Sequence, residues 1–135
     1  MTDLLSFKEP RHGVEWNSGR VDPDLAKVLL EAAGLAEPLG WSPLLVTCIY
    51  RSNVEDLAVG GTGHGPHTRW GAIDVRTIGV KQEYVRSVCS VINQRWEYDR
   101  DQPHLVVALL EGKDMPGTAP HLHLQTHRNT RLRDV

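Results

Sequence analysis

His121-Leu122-His123-Leu124-Gln125 alternates polar and apolar residues without a break. That is the period of a half-buried strand. Leu122 and Leu124 turn to one face, and His121, His123 and Gln125 turn to the other. A second strand signal lies at residues 71–77, GAIDVRT, with Ala72, Asp74 and Arg76 on one face. Further out, Leu44-Leu45-Val46-Thr47-Cys48-Ile49-Tyr50 reads as a largely buried strand that delivers Arg51 at its C-terminal end. Residues 104–110, HLVVALL, read as another strand. The loop that joins it to the last strand is short, which favours an antiparallel hairpin over a crossover.

Two helices flank these strands. Asp22 offers a cap, Pro23 suits the first helical position and Asp24 favours the positive end of the helix dipole. Leu25, Val28, Leu29 and Ala32 recur at helical spacing, and Gly34 is the expected stop. The second helix is expected over residues 81–98, with Tyr84, Val85, Val88, Ile92 and Trp96 as its apolar stripe. Pro38, Gly40 and Pro43 mark a turn, and the run GGTGHG at 60–65 is a loop. Residues 1–20 read as an arm or a short edge strand, and residues 128–135 as a polar, frayed tail. The expected architecture is a small α+β domain spanning 1–135, with a mainly antiparallel sheet and two main helices.

Composition narrows the function classes. With 135 residues, the chain suits one core and not two. Hydrophobic residues at 40% and charged residues at 24% fit a folded globular protein. Fifteen basic and 17 acidic residues give a formal charge of -2, which excludes a broad polycationic surface for nucleic acid. No apolar run approaches the ~20 residues of a membrane span. The opening MTDLLSFKEPRHG lacks the basic start and apolar stretch of a signal peptide, so synthesis in the cytoplasm is expected. Cys48 and Cys89 are too few and too far apart for a disulfide framework and read as two buried thiols.

Six of the seven histidines fall between positions 64 and 127. His121 and His123 share one strand face, which suits metal ligation and also occurs by chance at a solvated surface. Asp74 sits within a run of Ile and Val, where an ionised carboxylate needs a partner. That partner is either an arginine (Arg51, Arg69 or Arg76) or a metal. Two imidazoles and one carboxylate fill three corners of a tetrahedron and leave the fourth for water, which is the composition of a catalytic zinc site.

The ordered set of Ile49-Tyr50-Arg51-Ser52, the run HTRWGAID at 67–74, and His121-Leu122-His123 resembles a family of zinc peptidases. These cleave bacterial peptidoglycan stem peptides. They comprise the D-alanyl-D-alanine carboxypeptidases and dipeptidases and the phage L-alanyl-D-glutamate endopeptidases, and they share a fold with the Hedgehog signalling domain. The similarity runs over residues 46–125. It implies a Hedgehog/DD-peptidase-like fold, with His67, Asp74 and His123 as ligands of Zn2+. It implies that His121 stands beside the metal, and that Arg51 binds the scissile carbonyl oxygen or a substrate carboxylate. Hydrolysis then needs water activated by zinc, a base for its proton, and Arg51 on the developing oxyanion. Trp70 is expected either to line the substrate groove or to pack in the core.

Two departures accompany the resemblance. Many members carry an acid three residues before the last histidine ligand as the general base, and Pro120 stands there in this chain. The remaining candidates are His121, Asp114 and Glu111. Gly65 stands where the family often has serine. His64, His104 and His127 are expected in loops or at strand ends, and Gln125 close to the site. The implied partner is a peptidoglycan stem peptide at the cell wall, reached through a membrane pore or within a virion beside other virion proteins. The alternative is a zinc-binding module of the same fold that does not cleave.

Overall fold

The computed structural model describes residues 3–112 and 119–133. In chain order its elements are β1 (Leu5–Phe7), α1 (Pro10–Trp16), α2 (Pro23–Ala36), β2 (Leu44–Cys48), α3 (Asn53–Ala58), β3 (Ala72–Arg76), α4 (Gln82–Arg95), β4 (Trp96–Glu97), β5 (Ala108–Glu111), β6 (His121–Gln125) and β7 (Arg131–Leu132). Five strands form one sheet in the order β1-β2-β3-β6-β5. The β1–β2 pair is parallel and the other three pairs are antiparallel, so the sheet is mixed within an α+β fold. The adjacent β5 and β6 are antiparallel, as a hairpin requires.

Strand alternation sends Val46, Ile73, Val75, Leu122 and Leu124 to one face, where none keeps any exposure. Helices α2 and α4 cover that face. They contribute Leu25, Val28, Leu29 and Ala32 from one and Val85, Val88 and Ile92 from the other to the same core cluster. Fully burying each of the larger side chains contributes about 2 kcal/mol. The opposite face is left for the polar residues of the same strands.

Pro23 opens α2 as expected, but the Asp22 carboxylate does not cap it; it accepts a hydrogen bond from Thr126 Oγ1 instead. Gly34 does not end the helix. The buried stripe continues through Ala36, and the chain passes through a 3-10 turn to Gly40, which takes the left-handed conformation at φ 79°. Packing beyond Gly34 outweighs its modest helix penalty.

Of the two readings of residues 1–20, the short edge strand holds, because β1 pairs with β2 at the end of the sheet, and α1 follows with Pro10 in its first turn. Arg11 then ties α1 to the centre of the chain, donating to Tyr50 O at 2.9 Å and pairing with Glu55 at 3.1 Å. The second helix stops at Arg95, and Trp96–Glu97 pair with Arg131–Leu132, so this part of the tail is held and not frayed. The strand expected over 104–110 is regular only from Ala108, where the Asn93 side chain bonds both the Ala108 N–H and its carbonyl.

Candidate metal centre

The sheet register assembles the polar face. Asp74 on β3 lies opposite His123 on β6 and Cys48 on β2, and Glu111 on β5 lies opposite His121. Directly opposed side chains share a face and stand ~5 Å apart at Cβ. His67 arrives from another direction, on a 3-10 turn over Pro66–Arg69. Pro66 starts that turn and Thr68 Oγ1 closes it on Gly65 O at 2.6 Å. Trp70 leaves it in the left-handed region at φ 61°. Gly71 then enters β3 so close to its neighbours that a Cβ there would meet Thr126 O at 3.1 Å.

The hydrogen bonds set which nitrogen of each histidine is free. His67 Nδ1 lies 3.0 Å from Ile49 O, a pure acceptor, so Nδ1 carries the proton and donates. His67 Nε2 is left with its lone pair. It is buried, makes no hydrogen bond among the described residues, and lies 3.2 Å from Asp74 Oδ2. On His123 the polarity is reversed. Gln125 Nε2 donates to Val106 O at 2.8 Å, which turns Gln125 Oε1 toward His123 Nε2 at 3.1 Å. His123 Nε2 therefore donates, and without a metal ion Nδ1 also carries a proton and donates to Asp74 Oδ1. That Nδ1 faces Asp74 Oδ1 at 2.8 Å and Glu111 Oε1 at 3.0 Å.

His67 Nε2 and His123 Nδ1 thus converge on one carboxylate, and each needs a cation on the nitrogen that faces it. A proton or a metal ion meets that need. Outer acceptors that hold the second ring nitrogen are the usual companions of metal-binding histidines. The titration behaviour reflects the same pressure. Burial acts to lower the His67 pKa, but the adjacent Asp74 carboxylate outweighs it and pushes it up to about 10. Burial acts to raise Asp74, but the hydrogen bond from His123 and the charge of His67 and His123 hold it far below the usual carboxylate range.

Two triads of ligand atoms lie within 4.8 Å of one another: Cys48, His67 and Asp74, and Asp74, His121 and His123. They share Asp74. The set expected from sequence, His67, Asp74 and His123, is neither of these triads and draws one histidine from each. The donors of the two triads, with the unpartnered His67 Nε2, fit a divalent ion of the zinc class. His121 also turns inward, with Nδ1 3.1 Å from Ala119 O and Nε2 3.7 Å from Asp74 Oδ1. A cavity of about 750 Å3 opens over this group and is lined by Arg51, His67, Asp74, Glu111, His121 and His123 among others.

Arg51 reaches the centre through a support that the sequence did not reveal. Its Nη2 lies 3.6 Å from Asp74 Oδ2, and its Nη1 lies 3.2 Å from Asp56 Oδ1. Asp56 is 2% exposed and also accepts from the N–H groups of Gly63 at 2.9 Å and Gly65 at 3.3 Å. These donors offset burial and keep its pKa below the usual range. A Cβ on Gly61 would overlap the Asp56 carboxylate, so the glycine loop is shaped around one acid. Asp56 sits on α3, whose start is closed by a Ser52–Glu55 capping box. The only signal for Asp56 was an acid between Arg51 and a glycine-rich loop. Cys48, with Sγ 3.5 Å from His67 Nδ1, was also missed because its strand setting looked purely apolar.

The other expected residues fall outside the centre. Trp70 is absent from the cavity lining; it packs against the core and stacks on Tyr50 at 4.6 Å. That selects the packing alternative for it. His64 and His104 are exposed, and His127 lies 3.6 Å from Asp99. Gln125 is part of the hydrogen-bond shell around His123. Pro120 immediately precedes β6, and its carbonyl accepts from Thr77 Oγ1 at 2.9 Å. Asp114 lies outside the described residues. Both cysteines are free, and burial pushes the Cys89 thiol up to about 11. No helix among the described residues is long and apolar enough to cross a membrane.

In comparison with known proteins, the chain matches no family model, no curated protein and no solved structure.

Proposed function

We propose that this protein is a zinc-dependent peptidase that hydrolyses bonds in bacterial peptidoglycan stem peptides, on a Hedgehog/DD-peptidase-like fold. One observation carries the reading. His67 Nε2 and His123 Nδ1 converge on the buried Asp74 carboxylate at the base of an open cavity. His67, Asp74 and His123 would hold the ion. Bound zinc supplies Lewis acidity toward a carbonyl and makes a water more acidic.

The surrounding side chains suit the rest of hydrolysis. Arg51, braced by Asp56, offers a fixed positive charge beside Asp74 for a carbonyl oxygen that gains negative charge. His121 Nε2 and Glu111 Oε1 both face the cavity and supply proton acceptors where Pro120 supplies none. Action at the cell wall then requires release through a pore or carriage in a virion.

The test is a digest of purified muropeptides by zinc-loaded and chelator-treated protein, with zinc content measured on the same samples. Cleavage that depends on zinc and yields peptide fragments by mass spectrometry is expected. A protein that holds stoichiometric zinc and leaves every stem peptide intact would overturn the peptidase reading. It would point to a zinc-binding module that does not cleave.

A further inference from the structure

The two oxygens of the Asp74 carboxylate face different partners. Oδ2 lies 3.2 Å from His67 Nε2 and 3.6 Å from Arg51 Nη2. Oδ1 lies 2.8 Å from His123 Nδ1 and 3.7 Å from His121 Nε2. Glu111 closes a ring on the Oδ1 side, with Oε1 3.0 Å from His123 Nδ1 and 3.9 Å from His121 Nε2. Three neighbouring strands, β3, β6 and β5, supply these groups, and Glu111 lies directly opposite His121. One hydrogen bond fixes the role of His121. Its Nδ1 lies 3.1 Å from Ala119 O, a pure acceptor, so Nδ1 donates and Nε2 turns its lone pair toward two carboxylate oxygens. The separations of 3.7 and 3.9 Å exceed the roughly 3.2 Å of an ordinary hydrogen bond. Two ligands of one ion, each about 2.0–2.2 Å from it, stand up to about 4 Å apart. The gap among these three atoms therefore suits a cation, and the open cavity that His121 and Glu111 line gives it a path in.

We infer that Asp74 Oδ1, His121 Nε2 and Glu111 Oε1 form a second divalent-ion site beside the first, and that an ion bound there restrains hydrolysis. The restraint rests on the peptidase reading, but the binding does not. Asp74 then serves both ions, through Oδ2 on the His67 side and Oδ1 on the His121 side. One imidazole and two carboxylates are donors suited to zinc and to harder divalent ions. The second ion is the more weakly held, because Glu111 is partly exposed and two like charges close together repel. His121 and Glu111 are the proton acceptors of the site, and an ion takes the same lone pairs that a proton needs. Metal in excess of the first equivalent therefore withholds both acceptors.

The test titrates metal-free protein with zinc in a non-chelating buffer and counts ions per chain by native mass spectrometry. Two zinc ions are expected, the second only at higher free zinc. Glu111→Gln and His121→Gln are each expected to lose the second ion and keep the first. Their side chains are 42% and 22% exposed, so circular dichroism should show both variants folded. Cobalt(II) gives an independent reading. Two cobalt ions that share Asp74 couple magnetically, so the paramagnetic resonance signal per cobalt should fall as the second equivalent enters. Muropeptide cleavage by the same zinc samples should rise over the first equivalent and fall over the second. A single ion at every zinc concentration would overturn the second site. So would a second ion that survives both substitutions or leaves the cobalt signal uncoupled. Cleavage undiminished with the second ion in place would overturn the restraint. Two ions with the expected losses, but no cleavage at any occupancy, keeps the site and overturns the peptidase reading. Zinc-dependent cleavage by a protein that takes only one ion does the reverse, and failure to bind any zinc overturns both.

Discussion

On β3 and β6, one residue step separates two buried surfaces of opposite character. Ile73, Val75, Leu122 and Leu124 have no exposure and lie against α2 and α4. Asp74 and His123 alternate with them and are almost as dry, at 5% and 7% exposure. The apolar face is complete once the helices cover it, since its side chains ask only to be kept from water. The polar face is incomplete, because the buried His67 Nε2 has no hydrogen-bond partner among the described residues. Burial does not distinguish a core from a site here. What distinguishes them is whether the buried atoms have what their chemistry requires.

Substitutions should separate these faces cleanly. The largest effect is expected for His123→Ala, which removes a ligand atom and should abolish stoichiometric zinc binding, as read by metal analysis after dialysis. Retention of one zinc per chain would remove His123 from the ligand set. On the other face, Leu122→Ala should cost about 2–5 kcal/mol in denaturant-induced unfolding, from lost burial and the cavity left behind. Zinc binding by the folded fraction should survive. A selective loss of zinc with unchanged stability would show that the faces are not independent.

A smaller effect is expected from the hydrogen-bond shell. Gln125→Ala frees the His123 ring to turn, and should weaken zinc affinity about 10–100-fold in a chelator competition. Unchanged affinity would mean that the Gln125 contact does not orient the ring.

The smallest effect is in pH dependence. The folded pKa of His67 is raised from 6.5 to about 10, so its stabilising pairing with Asp74 is complete below 6.5 and lost as pH rises through about 10. Asp74 is shifted down, so its share is present above about 3.8 and lost as pH falls. Metal-free protein should therefore be most stable between about pH 4 and 6.5, and its Tm should fall by a few degrees toward pH 10. Zinc replaces the proton on Nε2, so the loaded protein should lack that decline. Parallel melting curves across this range, with and without zinc, would rule out competition of proton and metal for one position.

Much of the scaffold was legible along the chain. The alternation of residues 121–125 named both faces of β6, and Asp22-Pro23 marked the start of α2. The errors share a cause. Gly34 is a stop by local rules, but the apolar stripe runs on to Ala36 and packing decides. The strand Arg131–Leu132 has no periodicity to detect and exists because Trp96–Glu97 lies beside it. Within the site, Asp74, His121 and His123 were nominated by residue type and spacing, and the roles of His67 and Arg51 by the resemblance. Asp56 and Cys48 carried no such pattern.

Sequence alone determined which residues are able to bind a cation and which strand faces they occupy, because alternation and side-chain chemistry are local properties. Tertiary structure decided the rest. Register set Asp74 opposite His123, and a loop folded around Asp56 holds Arg51 at the carboxylate. Ile49 O and Gln125 Oε1 selected the ring nitrogens that face inward. Each depends on atoms brought from distant parts of the chain, and a proton's position on an imidazole follows its partners in space.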